Sequence, residues 1–187
     1  MSAAIDITGQ PEASRRLTAA LAAPVPAYLF VGPEGSGKRE AARAFAGELL
    51  ALGDTDDPDR HRRLAASEQH PDLVVIERTG PTITAQQARQ VVQSAALSPV
   101  EADVKVVLMV DFHLVGDQTA MVLKAIEEPP PTTIFVILAA DVPPELVTIA
   151  SRCIRIDFAA LSDDAIVEKL TAEGVDPEAA RSAAAIT

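Results

Sequence analysis

Gly32-Pro33-Glu34-Gly35-Ser36-Gly37-Lys38-Arg39 is the stretch on which the fold turns. The apolar run Ala27–Val31 precedes it. Lys38–Leu52 follows, with Ala42, Phe45, Ala46 and Leu49 at helical spacing. Strand, glycine-rich loop and helix in that order make a phosphate-binding loop. Its glycines let backbone N–H groups turn inward around phosphate oxygens. The helix N-terminus adds favourable partial charge, and Lys38 reaches toward the outer phosphates. The bland alternative is a glycine-rich turn with a solvent-facing lysine. Spacing and setting together favour the loop. One position departs from the pattern: Arg39 stands where a hydroxyl residue would ligate Mg²⁺, and a guanidinium has no lone pair to offer a metal.

Outward from the loop, four further apolar runs read as strands: Leu73–Ile76, Val106–Val110, Ile134–Leu138 and Ile154–Phe158. Most are Val- and Ile-rich and nearly continuous, as expected for strands buried on both faces of a parallel sheet. Helical patterns separate them. One starts at Thr84, with Gln87 placed for a capping box and Ala88, Val91, Val92 and Ala95 on one face. Another runs from about Asp117 to Glu128 and stops at Pro129-Pro130-Pro131. A short one covers Glu145–Ala150. The alternation predicts an α/β fold with a five-stranded, mostly parallel sheet. Gly53 to Gln69 is polar and reads as an exposed loop with room for one helical turn. Ser162–Ala172 reads as an amphipathic helix, and Asp176–Ala185 as the beginning of another.

The chain has 187 residues, 48% of them apolar, with five Phe, one Tyr and no Trp, so its core rests on Val, Ile, Leu and Ala. Sixteen basic against 27 acidic residues leave a net charge of −11. That argues against strong nucleic-acid binding by the chain alone, though not against a subunit of a DNA-handling machine. The single Cys excludes an internal disulfide and any zinc site built on several cysteines, and it fits a reducing cytoplasm. The start carries no signal-peptide pattern, and the longest apolar run, Ile134 to Ala140, is too short for a bilayer, so no membrane role is expected.

A second nucleotide motif ends at Asp111, after the apolar run from Val104. A strand-end acid there can meet Mg²⁺ directly or through water. It can equally be a turn or capping residue. Phe112 holds the place where a water-activating Glu usually follows. His61, His70 and His113 match no ligand spacing; surface or turn roles are expected, and no metal site. Cys153 reads as a buried small residue. The acidic run Asp54–Asp59 reads as a solvated loop, lacking the Gly and terminal Glu of a calcium loop.

With these residues in place, the chain resembles the AAA+ clamp-loader family of bacterial DNA polymerase III. The likeness is carried by Gly9-Gln10, by Tyr28 to Pro33 running into the loop, and by His70-Pro71-Asp72. Val122 to Pro130 and Ser151-Arg152-Cys153 complete it, and it covers essentially the whole chain. The resemblance implies an ATPase-like domain over 1–159 and the start of a helical lid over 160–187, with a C-terminal collar domain lying beyond. It maps Gly32, Pro33, Glu34, Gly35, Ser36, Gly37, Lys38, Arg39 and Asp111 to a nucleotide site that would hold ATP or ADP weakly. Arg152 would be an arginine finger, donated to ATP on a neighbouring subunit. The implied partners are motor ATPase and delta-like loader subunits and, indirectly, the sliding clamp and primed DNA. Many relatives carry four zinc-binding cysteines between the first helix and the second strand; none is present here, so no zinc is expected. The polar sensor after the fourth strand falls at Ala139 or Ala140. With Arg39 and Phe112, these losses weaken hydrolysis in cis while the trans-acting Arg152 stays, which favours a non-motor subunit with no ATPase activity of its own. The alternatives are a self-sufficient P-loop NTPase using a residue such as His113, or a structural paralogue that has lost nucleotide.

Overall fold

The computed structural model describes residues 4–54, 56–114, 118–172 and 174–184. Strands β1 (Ala27–Val31), β2 (Leu73–Ile76), β3 (Lys105–Met109), β4 (Thr133–Ala139) and β5 (Ile154–Asp157) form one sheet, ordered β2-β3-β4-β1-β5. Every pairing is parallel. Parallel neighbours need crossovers, and helices supply them on both faces. These are α1 (Pro11–Ala20), α2 (Lys38–Leu50), α3 (Pro58–Ala66), α4 (Ala85–Ala96), α5 (Thr119–Glu127) and α6 (Pro144–Ala150). Then α7 (Asp163–Ala172) and α8 (Pro177–Ala184) follow the last strand. The capping box at Thr84 forms as expected: Gln87 N–H donates to Thr84 Oγ1 and Thr84 N–H to Gln87 Oε1. The expected helix start at Asp117 lies outside the described residues.

Strand periodicity splits the core in two. Tyr28, Phe30, Val106, Leu108, Val136 and Leu138 point to the face covered by Leu17, Phe45 and Leu49. Leu29, Val31, Val107, Met109, Phe135 and Ile137 point to the other, under Val91, Val122 and Leu146. Each fully buried side chain of this size contributes about 1.5–3 kcal/mol relative to exposure. Tyr28 meets Phe45 edge-on at 4.8 Å between ring centres, and its hydroxyl accepts from Val25 N–H.

The polar segment Gly53–Gln69 departs from expectation. It holds a nine-residue helix, α3, not a loop. Asp57 caps it by accepting from Arg60 N–H, and Pro58 opens its first turn. Most of its charges stay exposed as read, yet several are paired: Arg62 makes a bidentate contact with Glu48 on α2 at 2.7 and 3.0 Å. Gly47 lets the two helices close up, since a Cβ there would lie 3.1 Å from Arg62 Cα.

His61 and His70 are also not surface residues; both are buried. Asp72 N–H donates to His70 Nδ1, so His70 carries its proton on Nε2. That nitrogen lies 2.7 Å from His61 Nδ1, and His61 Nε2 lies 2.8 Å from Asp54 Oδ2. The polarity runs one way, from backbone through two neutral imidazoles to a carboxylate, and ties α3 to the start of β2. The unanticipated α1 buries Ala13, Ser14 and Leu17 behind a leading Pro11.

Candidate functional site

The Gly32–Lys38 loop leaves the carboxyl end of β1 and enters α2. Gly35 and Gly37 hold φ of 76° and 83°, the left-handed region that favours glycine. Gly37 N-caps α2, so the first free N–H groups of that helix face the loop. Gln10 fixes the loop from outside: its Nε2 donates to Ser36 O at 2.9 Å and to Ala159 O at 2.7 Å. Ser36 is 1% exposed, and its Oγ has no hydrogen-bond partner. An orphaned hydroxyl inside the loop is an uncommon expense in a folded core.

The loop edges a cavity of about 240 Å³ that gathers Glu34, Gly35, Gly37, Lys38 and Arg39 with Glu77 and Asp111. Of the nine residues read from sequence as a nucleotide site, Glu34, Gly35, Gly37, Lys38, Arg39 and Asp111 line it, and Gly32, Pro33 and Ser36 do not. Lys38 Nζ donates to Pro33 O at 2.8 Å, across its own loop. Burial pushes the Lys38 ammonium down from its ordinary value, against the pull of Asp111, Glu34 and Glu40. Asp111 lines the cavity and also opens the short 3₁₀ helix Phe112–Leu114, with φ of 53°. The turn role read for it from sequence is filled, with Leu114 N–H donating to Asp111 O at 3.1 Å. Arg78 Nε approaches its Oδ2 at 3.4 Å.

Arg39 is the departure with structural content. Its Nε and NH2 reach Glu68 at 3.0 and 3.1 Å, and its NH1 and NH2 reach Glu77 at 3.1 and 2.9 Å. The hydrogen bonds of Glu68, then those of Glu77, hold this guanidinium well above its ordinary pKa. Glu68 and Glu77 were not among the residues read from sequence. Glu77 directly follows β2, and only the β2–β3 pairing sets it beside Asp111. A Mg²⁺ ion does not fit this donor set, because Glu68 and Glu77 are each bound on both oxygens by the guanidinium that stands in place of the hydroxyl. No group of three or more His, Cys, Asp or Glu among the described residues could hold a metal ion.

The other motif positions are occupied by structure as well. Phe112 is fully buried in the second core cluster and offers nothing to a water. His113 Nδ1 accepts from Ala140 N–H at 3.2 Å, so its ring braces the end of β4. Cys153 is half-buried; its Sγ donates to Ile149 O, and burial pushes the thiol up to about 12.

Arg152 lies between α6 and β5, exposed, at the amino end of the sheet. The register Tyr28↔Ile154 sets it beside the start of β1, in an open cleft with Pro26, Ala27, Glu127 and Pro129. The phosphate loop leaves the other end of β1, about 16 Å away for five residues at the usual strand rise. Arg152 NH2 pairs with Glu127 at 2.7 Å, and NH1 donates to Thr148 O. Asp157, the partner that chain proximity offers, is taken by Arg155.

The profile of the family described as DNA polymerase III, delta subunit, matches residues 9–162. DNA polymerase III subunit delta' of Bacillus subtilis is 29% identical over 165 residues, covering 86% of this chain and 50% of that protein. DNA polymerase III subunit gamma of Buchnera aphidicola is 32% identical over 148 residues, covering 77% and 41%. A DNA polymerase III gamma subunit-related protein of Thermotoga maritima superposes with a TM-score of 0.62 at 18% identity, over 94% of this chain and 58% of that one. The chain thus spans half or less of the length of these curated relatives. Its fold is the AAA+ P-loop type, and no helix among the described residues is long and apolar enough to cross a membrane. With the match over most of its length, the chain belongs to the DNA polymerase III delta subunit family of clamp-loader-type subunits.

Proposed function

We propose that this chain is a non-motor, delta-prime-like subunit of a DNA polymerase III clamp loader. It helps motor ATPase and delta-like subunits place a sliding clamp on primed DNA, and it completes a neighbour's ATPase site with Arg152. Residues 1–159 are its ATPase-like domain and 160–187 the start of a helical lid. Its own loop holds ATP or ADP weakly and without turnover. One observation carries the reading: Arg152 is exposed at the end of the sheet opposite the chain's own phosphate loop. A guanidinium there has no cis phosphate to serve. Released from Glu127, it can stabilise charge spreading over a neighbour's γ-phosphate, a contribution of roughly 10³–10⁵ in rate for arginine fingers. Its planar fork matters as much as its charge, so Arg152→Lys is nearly as damaging as Arg152→Ala.

The test reconstitutes the full-length protein with its partner ATPase and measures DNA-stimulated turnover. Arg152→Ala should cut turnover by at least about 10²-fold in a complex that still assembles. Unchanged turnover in an assembled complex sinks the finger. The second reading, a self-sufficient NTPase, draws no support from His113, whose Nδ1 is already engaged by Ala140.

A further inference from the structure

We propose that Arg39 is the built-in cation of this phosphate loop, so that the loop takes a phosphate group without a divalent metal. The inference rests on the proposed reading of Gly32–Lys38 as a phosphate site and adds what that site requires of its ligand. Three of the carboxylates around the cavity already have a cation of their own. Glu77 is held on both oxygens by Arg39, Asp111 faces Arg78 at 3.4 Å, and Glu40 pairs with Lys169 at 3.0 Å. Lys38, unlike Arg39, has no carboxylate hydrogen-bonded to it among the described residues. Lys38 rests on a neutral carbonyl, and the first N–H groups of α2 face the loop beside it.

A metal and an anion therefore meet different reception. To bind here, Mg²⁺ would compete with Arg78 for Asp111, find Glu77 held on both oxygens by a bidentate guanidinium, and sit close to that positive charge. No hydroxyl follows Lys38 to replace the lost ligand. A phosphate oxygen has only to draw Lys38 from Pro33 O and accept from the loop amides. Ser36 Oγ, buried in the same loop with no partner, is a further group with an unmade hydrogen bond. The ligand class is a metal-free phosphate group, carried by a nucleotide or as the free ion.

The experiment is calorimetry on the full-length protein, with ADP and with inorganic phosphate as probes, each in excess MgCl₂ and in excess EDTA. ADP should bind with Kd values within about twofold of one another in the two buffers. Inorganic phosphate that binds and competes with ADP assigns the site to the phosphate group itself; binding of ADP alone assigns it to the nucleotide. Arg39→Thr restores the hydroxyl and frees Glu77, and should gain about tenfold in ADP affinity that appears only with Mg²⁺. If that variant does not fold, the two-buffer comparison on the unaltered protein decides by itself. ADP binding tenfold or more tighter in Mg²⁺ by the unaltered protein overturns the proposal, as does binding of neither probe. Neither result touches the Arg152 turnover assay, so the loader assignment stands or falls separately.

Discussion

Asp72 shows how much one buried carboxylate can organise. It is fully buried, and its oxygens accept from Val100, Glu101 and Ala102 N–H at 2.6, 2.7 and 2.9 Å. Burial works to raise its pKa, but the three N–H donors outweigh burial and hold the carboxyl below its ordinary range. Asp72→Ala strands three donors in the turn before β3 and should cost about 3 kcal/mol or more in urea unfolding; a loss under about 1 kcal/mol refutes this account. His70 gives the pH dependence. Burial first, then the neighbouring His61, pushes its pKa below the ordinary value; Asp72 and Glu101 pull the other way and Arg60 adds to the depression. A histidine depressed in the fold binds its proton more readily unfolded. The stability it gives is full above the unfolded pKa of about 6.5 and is lost as pH falls below that value. Thermal unfolding should show Tm falling from pH 7 to 5.5, with a shallower fall in His70→Gln. The depressed carboxylates act below about pH 4.5, outside this window. A flat or rising Tm in the unaltered protein contradicts the assignment.

Among the elements, β1 and the residue after β5 meet backbone to backbone. Phe158 N–H donates to Val31 O at 2.7 Å, and Phe158 Cβ would lie 2.7 Å from any Cβ at residue 32. The Phe158 carbonyl oxygen would lie closer still. Gly32 is required here for space, and the backbone it meets cannot rotate away. Gly32→Ala should cost about 3 kcal/mol and loosen the start of the phosphate loop, whereas Gly80→Ala, with nothing within 4 Å, should be near neutral. Chemical denaturation of the pair checks the contrast; equal losses would contradict it. The same scale shows why α3 was hard to read. Asp57-Pro58 is a legible helix start, yet Arg60, Arg62 and Arg63 read as solvated. Glu101 and Glu48, the partners of Arg60 and Arg62, lie on other segments, and hydropathy along the chain cannot register a pairing across it; Arg63 meets the local Asp57.

At the scale of the molecule, the parallel sheet separates two chemistries. The loop emerges from its carboxyl end and Arg152 from its amino end, so one subunit cannot bring both to a single phosphate. Arg39 also stands where a metal-ligating hydroxyl would follow the loop lysine, and Phe112 where a water-activating acid would follow, groups each typically worth about 10²–10⁴ in rate. Purified full-length protein should accordingly show no appreciable phosphate release from ATP. Multiple turnovers per second, abolished by Lys38→Ala, would overturn the non-motor reading.

The amino-acid sequence alone determined the strands, the phosphate loop and the family. Apolar period and glycine spacing are local properties of the chain, written in consecutive residues. The same locality made the missing hydroxyl at Arg39 and the missing acid at Phe112 visible. Which side chains Arg39 and Arg152 pair with was decided only by the tertiary structure. Glu68 and Glu77 are 29 and 38 residues from Arg39, and the order β2-β3-β4-β1-β5 brings Glu77 to Asp111. Arg152 chooses Glu127 on α5 over Asp157 because crossovers fold α5 back onto the amino end of the sheet. Charge pairing depends on distance in space, and a parallel sheet sets that distance by strand order, not by position along the chain.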